Sequence, residues 1–161
     1  MRTCDYYEEF EKPKIIIPTI VKMASYAYDH SCIYSNDKTS IIPTDDLYLL
    51  GVMNSKIGDI VIHSISSTKQ GGYFEYKPMY VSQIPIRTID FSDPADVSRH
   101  DRIVELVQTM LDLHRQLSTS GQEHERTLIS RRREATDRQI DRLVYELYGL
   151  TEEEIGLVVA K

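Results

Sequence analysis

The pattern of apolar and polar positions in the first half of the chain predicts short β-strands. The run Lys14-Ile15-Ile16-Ile17-Pro18 is apolar, β-branched and closed by a proline, which is typical of a strand that ends there. Residues 33–42 place a turn-rich tetrapeptide between two apolar pieces and predict a hairpin. Residues 73–76 and 79–86 predict two further strands.

One amphipathic helix is predicted among these strands. Thr44 and the two acids after it are typical of a helix N-terminus. Apolar side chains then recur at spacings of three and four from Leu47 to Val61, which indicates one buried face. Gly51 and Gly58 weaken an isolated helix, so we expect close packing of this segment on a neighbouring element.

The second half of the chain shows two long helical stripes. Residues 92–94, Ser-Asp-Pro, are typical of a helix start. Apolar positions at helical spacing cover residues 103–117 and 128–148, and the short Ser/Thr/Gly connection predicts an antiparallel pair. Gly149 suits the position after a helix end, and residues 151–154 form a capping box before a short third helix.

These patterns predict an α+β protein with a change of character near residue 90. Residues 1–89 form a small mixed α/β domain, and residues 90–161 form a helical hairpin with a C-terminal short helix. The composition, with 41% apolar and 27% charged residues, is ordinary for a folded globular chain.

The location indicated by the sequence is the cytoplasm. No apolar run reaches the ~20 residues that a membrane helix needs. The acidic first ten residues do not resemble a signal peptide. Two distant thiols, Cys4 and Cys32, suit a reducing compartment better than a disulfide scaffold.

The net charge of −6 argues mildly against a nucleic-acid partner but is unevenly placed. Residues 1–89 hold 9 basic and 10 acidic side chains, whereas residues 90–161 hold 10 basic and 15 acidic ones. Phosphate contacts need Lys and Arg. A nucleic-acid surface is therefore expected in the first part, or on one face of the second.

Motifs for the usual catalytic centres are missing from the sequence. No two prolines are adjacent, which excludes the Asn/Asp-Pro-Pro-aromatic motif of amino-directed base methylation, and no Pro-Asp pair starts a Mg²⁺ nuclease motif. Phosphate-cradling and dinucleotide glycine motifs are also missing. Glu123-His124-Glu125 begins like a zinc-protease helix, but Leu128 stands where the second histidine ligand belongs. We expect no catalytic or metal site in this chain.

The most suggestive chemistry lies in a polar segment, residues 64–72, that predicts a loop and leads into Tyr73. Hydroxyl and ammonium groups contact phosphates or bases, a glutamine pairs bidentately with adenine, and paired glycines allow close backbone approach. The candidate DNA-binding residues are Lys56, Ser66, Ser67, Thr68, Lys69, Gln70, Gly71, Gly72, Tyr73 and Lys77. The alternative is an ordinary hairpin turn with polar decoration.

Two further groups of residues leave alternatives open. Five tyrosines either stack at a binding surface or fill the core: Tyr6, Tyr7, Tyr26, Tyr28 and Tyr34. A run of arginines favours a solvated helix surface, salt-bridged to Glu134, Asp137 and Asp141, over a contact to a DNA backbone. The arginines are Arg126, Arg131, Arg132, Arg133 and Arg138.

Several segments in one order resemble a known family. They are residues 10–16, 41–44, 47–56, 66–78 and 83–86. Together they resemble the TaqI-like C-terminal specificity domain of adenine-directed DNA methyltransferases and fused restriction–modification enzymes. Leu-Leu-Gly-x-x-Asn-Ser-Lys at 49–56 and Ile-Pro-Ile at 84–86 are also similar to type I restriction specificity subunits. The tail, residues 140–155, resembles the C-terminus of fused enzymes.

The resemblance implies a non-catalytic region that reads a specific duplex DNA sequence, with Lys69 to Tyr73 facing the DNA. A methyltransferase or endonuclease catalytic domain or subunit, absent here, would bind S-adenosylmethionine and flip the target adenine. This chain would then be a fragment or a separated gene piece, with no cofactor of its own. The main alternative is a helical, coiled-coil-like interaction module that docks on another subunit or forms a homodimer. An enzyme with an unfamiliar site is the third hypothesis.

Overall fold

The computed structural model describes residues 7–160, which form two compact units. Residues 7–46 and 58–85 make the first unit, and residues 47–57 and 86–160 make the second. Residues 47–57 therefore group with the C-terminal helices although they precede residue 90. The described part contains six α-helices and two small antiparallel sheets, which confirms the predicted α+β class.

The first sheet, in the first unit, has the strand order β3-β1-β4. Strand β1, Lys14–Pro18, is confirmed as predicted and ends at its proline. It pairs antiparallel with β3, Ala27–Asp29, and with β4, Thr39–Pro43. Ile15 and Ile17 point to one side and are buried, as expected for alternating positions of a strand.

The predicted hairpin at residues 33–42 is wrong, because only β4 forms and its partner is β1. The tetrapeptide does turn, since Thr39 N donates to Asn36 O at 3.2 Å. The residues before the turn do not form a strand, because the Asp29 carboxylate accepts hydrogen bonds from the amides of Ser31 and Ile33, each at 3.0 Å. Such local side-chain bonds compete with strand pairing.

A buried ion pair joins the first sheet to the short 3-10 helix Tyr7–Glu11. Lys14, which is fully buried, donates from Nζ to Asp29 Oδ2 at 2.5 Å and to Phe10 O at 2.6 Å. Burial raises the pKa of Asp29, but the hydrogen bonds from Lys14, Ser31 and the Ile33 amide outweigh burial and hold that pKa well below its usual range. The carboxylate therefore remains charged inside the fold.

The second sheet, also in the first unit, has the order β2-β6-β5. Its strands are β2, Ile20–Val21, β5, Thr68–Lys69, and β6, Tyr73–Glu75. The strand predicted at residues 73–76 is confirmed as β6, over residues 73–75. The loop predicted for residues 64–72 is wrong at its start, where residues 64 and 65 complete a helix, and in its middle, where Thr68 and Lys69 form β5; residues 70–72 form the turn.

The predicted strand at residues 79–86 is wrong, because its start is a short helix, α3, Pro78–Val81. Pro78 stands at the first helical position, where its fixed φ suits a helix. Val81 and Ile84 are both buried at a spacing of three, which serves a helical turn rather than an alternating strand. Gln83 Nε2 also donates to Met79 O at 2.7 Å and stabilises that turn.

The helix predicted for residues 47–61 is divided at Ser55 into α1, Leu47–Asn54, and α2, Lys56–Ile65. Ser55 closes α1 tightly, because its N and Oγ both donate to Val52 O, at 3.2 and 2.7 Å. At Gly51, α1 packs closely on a neighbouring helix, as the sequence predicts. A Cβ there would lie 2.8 Å from Val107 Cγ2 of the adjacent helix.

The long helices of the second unit are confirmed: α4, Pro94–Thr119, and α5, Glu123–Tyr148. They pack along each other as antiparallel neighbours, and Arg126 Nη1 donates back to Leu117 O at 2.9 Å beside the connection. Asp93 caps α4 by accepting from Ala95 N at 2.9 Å.

The remaining local signals of the second unit are also confirmed. Gly149 ends α5 at a φ of 68°, a left-handed conformation that favours glycine. The third helix, α6, Glu152–Val159, starts with the Thr151–Glu154 capping box. No helix in residues 7–160 is long and apolar enough to span a bilayer. Cys4 and Tyr6 lie outside the described residues, and Cys32 is exposed with a free thiol.

Replacing Lys14 by methionine is expected to destabilise the protein by about 3–5 kcal/mol, because it leaves the buried Asp29 carboxylate without its cation. Denaturant unfolding measures the loss. The control is Lys12→Met, which removes an exposed lysine that pairs with Glu9 on the surface and which should change stability little. Equal effects of the two substitutions would contradict the structural role of the buried pair.

The lowered pKa of Asp29 predicts a stability loss in acid. An unfolded aspartate titrates near ~3.9, so the contribution of this carboxylate is complete above that pH and disappears as the pH falls through the lower folded value. Urea unfolding between pH 5 and 2 should show a steeper loss for wild type than for Asp29→Asn. If Asp29→Asn does not fold, an NMR titration of Asp29 in wild type should give a midpoint below 3.9; a midpoint at or above it refutes the prediction.

Candidate nucleic-acid interface

The predicted site residues 68–73 form the β5–β6 hairpin of the first unit. Thr68 pairs with Phe74 and Lys69 with Tyr73, so residues 70–72 make the turn. Gly71 and Gly72 have φ of 84° and 76°, a conformation that other L-residues rarely adopt. All residues from 67 to 73 are exposed. The segment is therefore a hairpin turn, and it is also an accessible one.

A basic and aromatic row crosses one face of the second sheet. Lys69 and Tyr73 are directly opposite on neighbouring strands, so their side chains lie on the same face. Lys22 follows β2, and its Nζ lies 5.3 Å from the centroid of the Tyr73 ring, within cation–π range. Tyr73 is 40% exposed, so the ring between the two lysines remains open to solvent.

Glu75 holds two lysines on this same face. Its Oε1 lies 3.0 Å from Lys69 Nζ and 3.1 Å from Lys77 Nζ. Hydrogen bonds from Lys69 and then Lys77 lower the pKa of Glu75, so the carboxylate stays ionised. With Lys22, this face carries three ammonium groups and one carboxylate, and we call these four residues and Tyr73 the lysine face.

The opposite side of β6 fixes the hairpin onto α2. The Phe74 ring stacks on His63, with centroids 3.8 Å apart. The Tyr76 hydroxyl donates to Asp59 Oδ1 at 2.6 Å and lies 3.2 Å from His63 Nε2. Burial, and then the bond to Asp59, raises the pKa of Tyr76, so its hydroxyl keeps its proton and remains a donor.

Asp59 also positions the segment that carries Lys22. Ala24 N donates to the same Asp59 Oδ1 at 2.5 Å, two residues after Lys22. Ile20 pairs with Glu75 and Val21 with Phe74, which aligns β2 beside β6. The lysine face is therefore tied to α2 at two places, at β2 through Ala24 and at the central strand β6 through Phe74 and Tyr76.

The structure brings together most of the predicted site residues. Ser67, Thr68, Lys69, Gln70, Gly71, Gly72, Tyr73 and Lys77 all lie on the hairpin or directly after it. Ser66 is half-buried, and within residues 7–160 its Oγ has no hydrogen-bond partner. Lys56 belongs to the second unit, where its amide donates to Asp141 Oδ1 at 2.9 Å. It is therefore not among the residues that the first unit gathers.

Two residues of the lysine face were not predicted from sequence. Lys22 follows a two-residue strand that is too short to stand out, although Ile20-Val21 before it is a β-branched pair typical of strands. Glu75 lay inside a predicted strand, and its alternation with Tyr73 was the available signal.

The candidate tyrosines divide between surface and core. Tyr7 and Tyr34 are 53% and 60% exposed, and Tyr34 stacks on Phe10 with centroids 5.3 Å apart. Tyr26 is buried and meets Tyr76 edge-on at 5.9 Å. Tyr28 is half-buried on β3. The interpretation of the tyrosines as core residues therefore holds for Tyr26.

Metal ligands do not cluster in the described residues: residues 7–160 contain no group of three or more His, Cys, Asp and Glu side chains arranged to hold an ion. The lysine face and the adjoining turn supply ammonium groups, the Tyr73 hydroxyl and the backbone amides of Gly71 and Gly72. These groups bind phosphates and base edges rather than metals.

Residues 2–86 match the family model described as the TaqI-like C-terminal specificity domain. The match covers more than half of the chain and includes both sheets and the whole lysine face. No curated protein matches the chain.

Proposed function

The chain belongs to the TaqI-like C-terminal specificity domain family, which gives it a DNA target-recognition role in restriction–modification, and from this premise we propose that the lysine face contacts the duplex. The observation that carries the proposal is the exposed row of Lys22, Tyr73 and Lys69 beside a glycine turn. Ammonium groups hold phosphates, and the turn brings polar groups to base edges.

The individual groups have distinct roles in this proposal. Lys22, Lys69 and Lys77 neutralise phosphates, and Glu75 orients two of these ammonium groups before DNA arrives. Gln70 stands exposed in the turn, where its carboxamide has the geometry to pair with adenine N6 and N7. The bare amides of Gly71 and Gly72 approach the DNA closely, because no side chain stands between them and the groove.

We further propose that the chain reads DNA for an adenine-specific methyltransferase, with or without an endonuclease. The catalytic part would bind S-adenosylmethionine and take the target adenine out of the stack. An enzyme that flips a base needs the duplex held in register. A separate domain that contacts the DNA phosphates fixes that register. The absence of methyltransferase motifs from this sequence is consistent with such a division of labour.

The double variant Lys69→Gln/Lys77→Gln is expected to weaken duplex binding and to reduce the slope of log affinity against log salt by about one per lysine, because each phosphate contact releases counterions. Glu75→Gln should act in the opposite direction, because the loss of repulsion between this carboxylate and the phosphates outweighs the loss of orientation of Lys69 and Lys77. Fluorescence anisotropy with a labelled duplex at several salt concentrations measures both effects.

The matched control is Lys12→Gln/Lys38→Gln, which removes the same charge from exposed lysines of the same unit. This control should leave the salt slope near that of wild type. If the two double variants weaken binding equally, the effect is one of net charge and the lysine face is not the contact surface.

A second candidate function is homodimerisation through the C-terminal helices, which the exposed apolar residues of α6 favour. Leu157 and Val159 are 66% and 56% exposed on that helix. Sedimentation velocity over a hundredfold concentration range should show a dimer that Leu157→Ser/Val159→Ser dissociates. A monomer at all concentrations would exclude this function for the chain alone.

A further inference from the structure

Three arginines form one stripe along the outer face of α5. Arg131, Arg138 and Arg142 are spaced by seven and four residues, which places them within about 40° of each other around the helix and spreads them over about 16 Å. All three are exposed. We call them the arginine stripe.

The arginine stripe lies opposite the packed side of its helix. The buried residues Ile129, Thr136, Ile140 and Val144 occupy the other face of α5. Ala135 stands between Arg131 and Arg138 on this line, and His124 and Leu128 continue it toward the start of the helix, so the line itself holds no acidic residue. The exposed side chains of Glu134 and Glu146 flank it, about 60° to either side. The line of the stripe is therefore basic, although residues 90–161 as a whole are acidic.

The arginines of α4 show what a neutralised helix surface looks like in this protein. Arg99, Arg102 and Arg115 each form an ion pair with a carboxylate three residues away, at Asp96, Glu105 and Asp112. Arginines on a solvated helix surface commonly form such pairs with carboxylates three or four residues away.

Arg131 and Arg138 depart from that arrangement, because within residues 7–160 neither lies within ion-pair distance of a carboxylate. Arg142 Nε pairs with Glu146 Oε1, at 3.5 Å. Glu134, the sequence-predicted partner three residues after Arg131, does not pair with it. Asp141, a second predicted partner, is buried and accepts the Lys56 amide. The predicted salt-bridged surface is therefore wrong for Arg131 and Arg138.

We propose that the arginine stripe binds the phosphate backbone of duplex DNA, as a second contact surface outside the region that matches the family model. This inference rests on the proposed DNA-binding function. A guanidinium holds a phosphate through two parallel hydrogen bonds and keeps its charge at every working pH. Over the ~16 Å of the stripe, one DNA strand offers a phosphate every ~3.4 Å of axis, so each arginine reaches one without strain.

The stripe adds affinity without sequence information, because phosphate oxygens are the same at every base pair. Arg131, Arg138 and Arg142 therefore hold the duplex, whereas Gln70 to Gly72, in the hairpin turn of the other unit, discriminate between sequences. The two surfaces differ in what their loss changes, and this difference allows them to be tested separately.

The test uses the full chain and a labelled duplex, with anisotropy titrations at 50 to 200 mM salt. The variant Arg131→Gln/Arg138→Gln/Arg142→Gln should weaken binding equally for all duplex sequences and lower the salt slope by about 2.7, which corresponds to three lost phosphate contacts. Glutamine keeps the helix propensity, and circular dichroism should show unchanged helicity.

The control variant, Lys12→Gln/Arg102→Gln/Arg115→Gln, removes three exposed cations that are each paired with a carboxylate. It changes the net charge by the same amount and should leave the slope nearly unchanged. If wild type binds and the stripe variant keeps the wild-type slope, the inference is overturned and an acidic protein partner becomes the better occupant. If wild type itself shows no salt-dependent binding, the proposed function fails as well.

Discussion

The first unit depends on the buried ion pair between Lys14 and Asp29. Neither charge is tolerable alone in the interior, so the two strands that carry them must pair in one register. The same strand continues through Thr19 into the second sheet, where Tyr76 N donates to Thr19 O at 2.8 Å. Because β2 directly follows β1 in the chain, the position of β1 in the first sheet also constrains the position of β2. Strand β2 forms one edge of the lysine face.

Local signals predicted the ends of the long C-terminal helices well, because caps act within one turn. Asp93 and Gly149 set helix ends through their own side chain or backbone conformation, and the structure places both as predicted. The strand predicted at residues 79–86 failed for the opposite reason. A short run of apolar residues suits a strand or a helix, and Val81 and Ile84, both buried at a spacing of three, fit a helical turn rather than an alternating strand.

The sequence predicted the continuous segment of the candidate site but not the residues that other parts of the chain add to it. Residues 67–73 stand out by composition, since a glycine pair in a polar stretch indicates a turn that a ligand can approach. The surface around that turn is not local: Lys22 arrives through pairing with a strand about fifty residues later in the chain, and Glu75 shares its charge between two lysines. One sequence offers no signal for such long-range pairing of a two-residue strand.

Backbone amide chemical shifts of the full chain, recorded while duplex DNA is added at low salt, test the central claim most directly. The account predicts that the largest changes cluster at Lys22 and at residues 67–77, with the buried strand β1 unaffected. Changes confined to other surfaces, with the hairpin amides unmoved at saturating DNA, would contradict the assignment of the lysine face as the surface that meets the duplex.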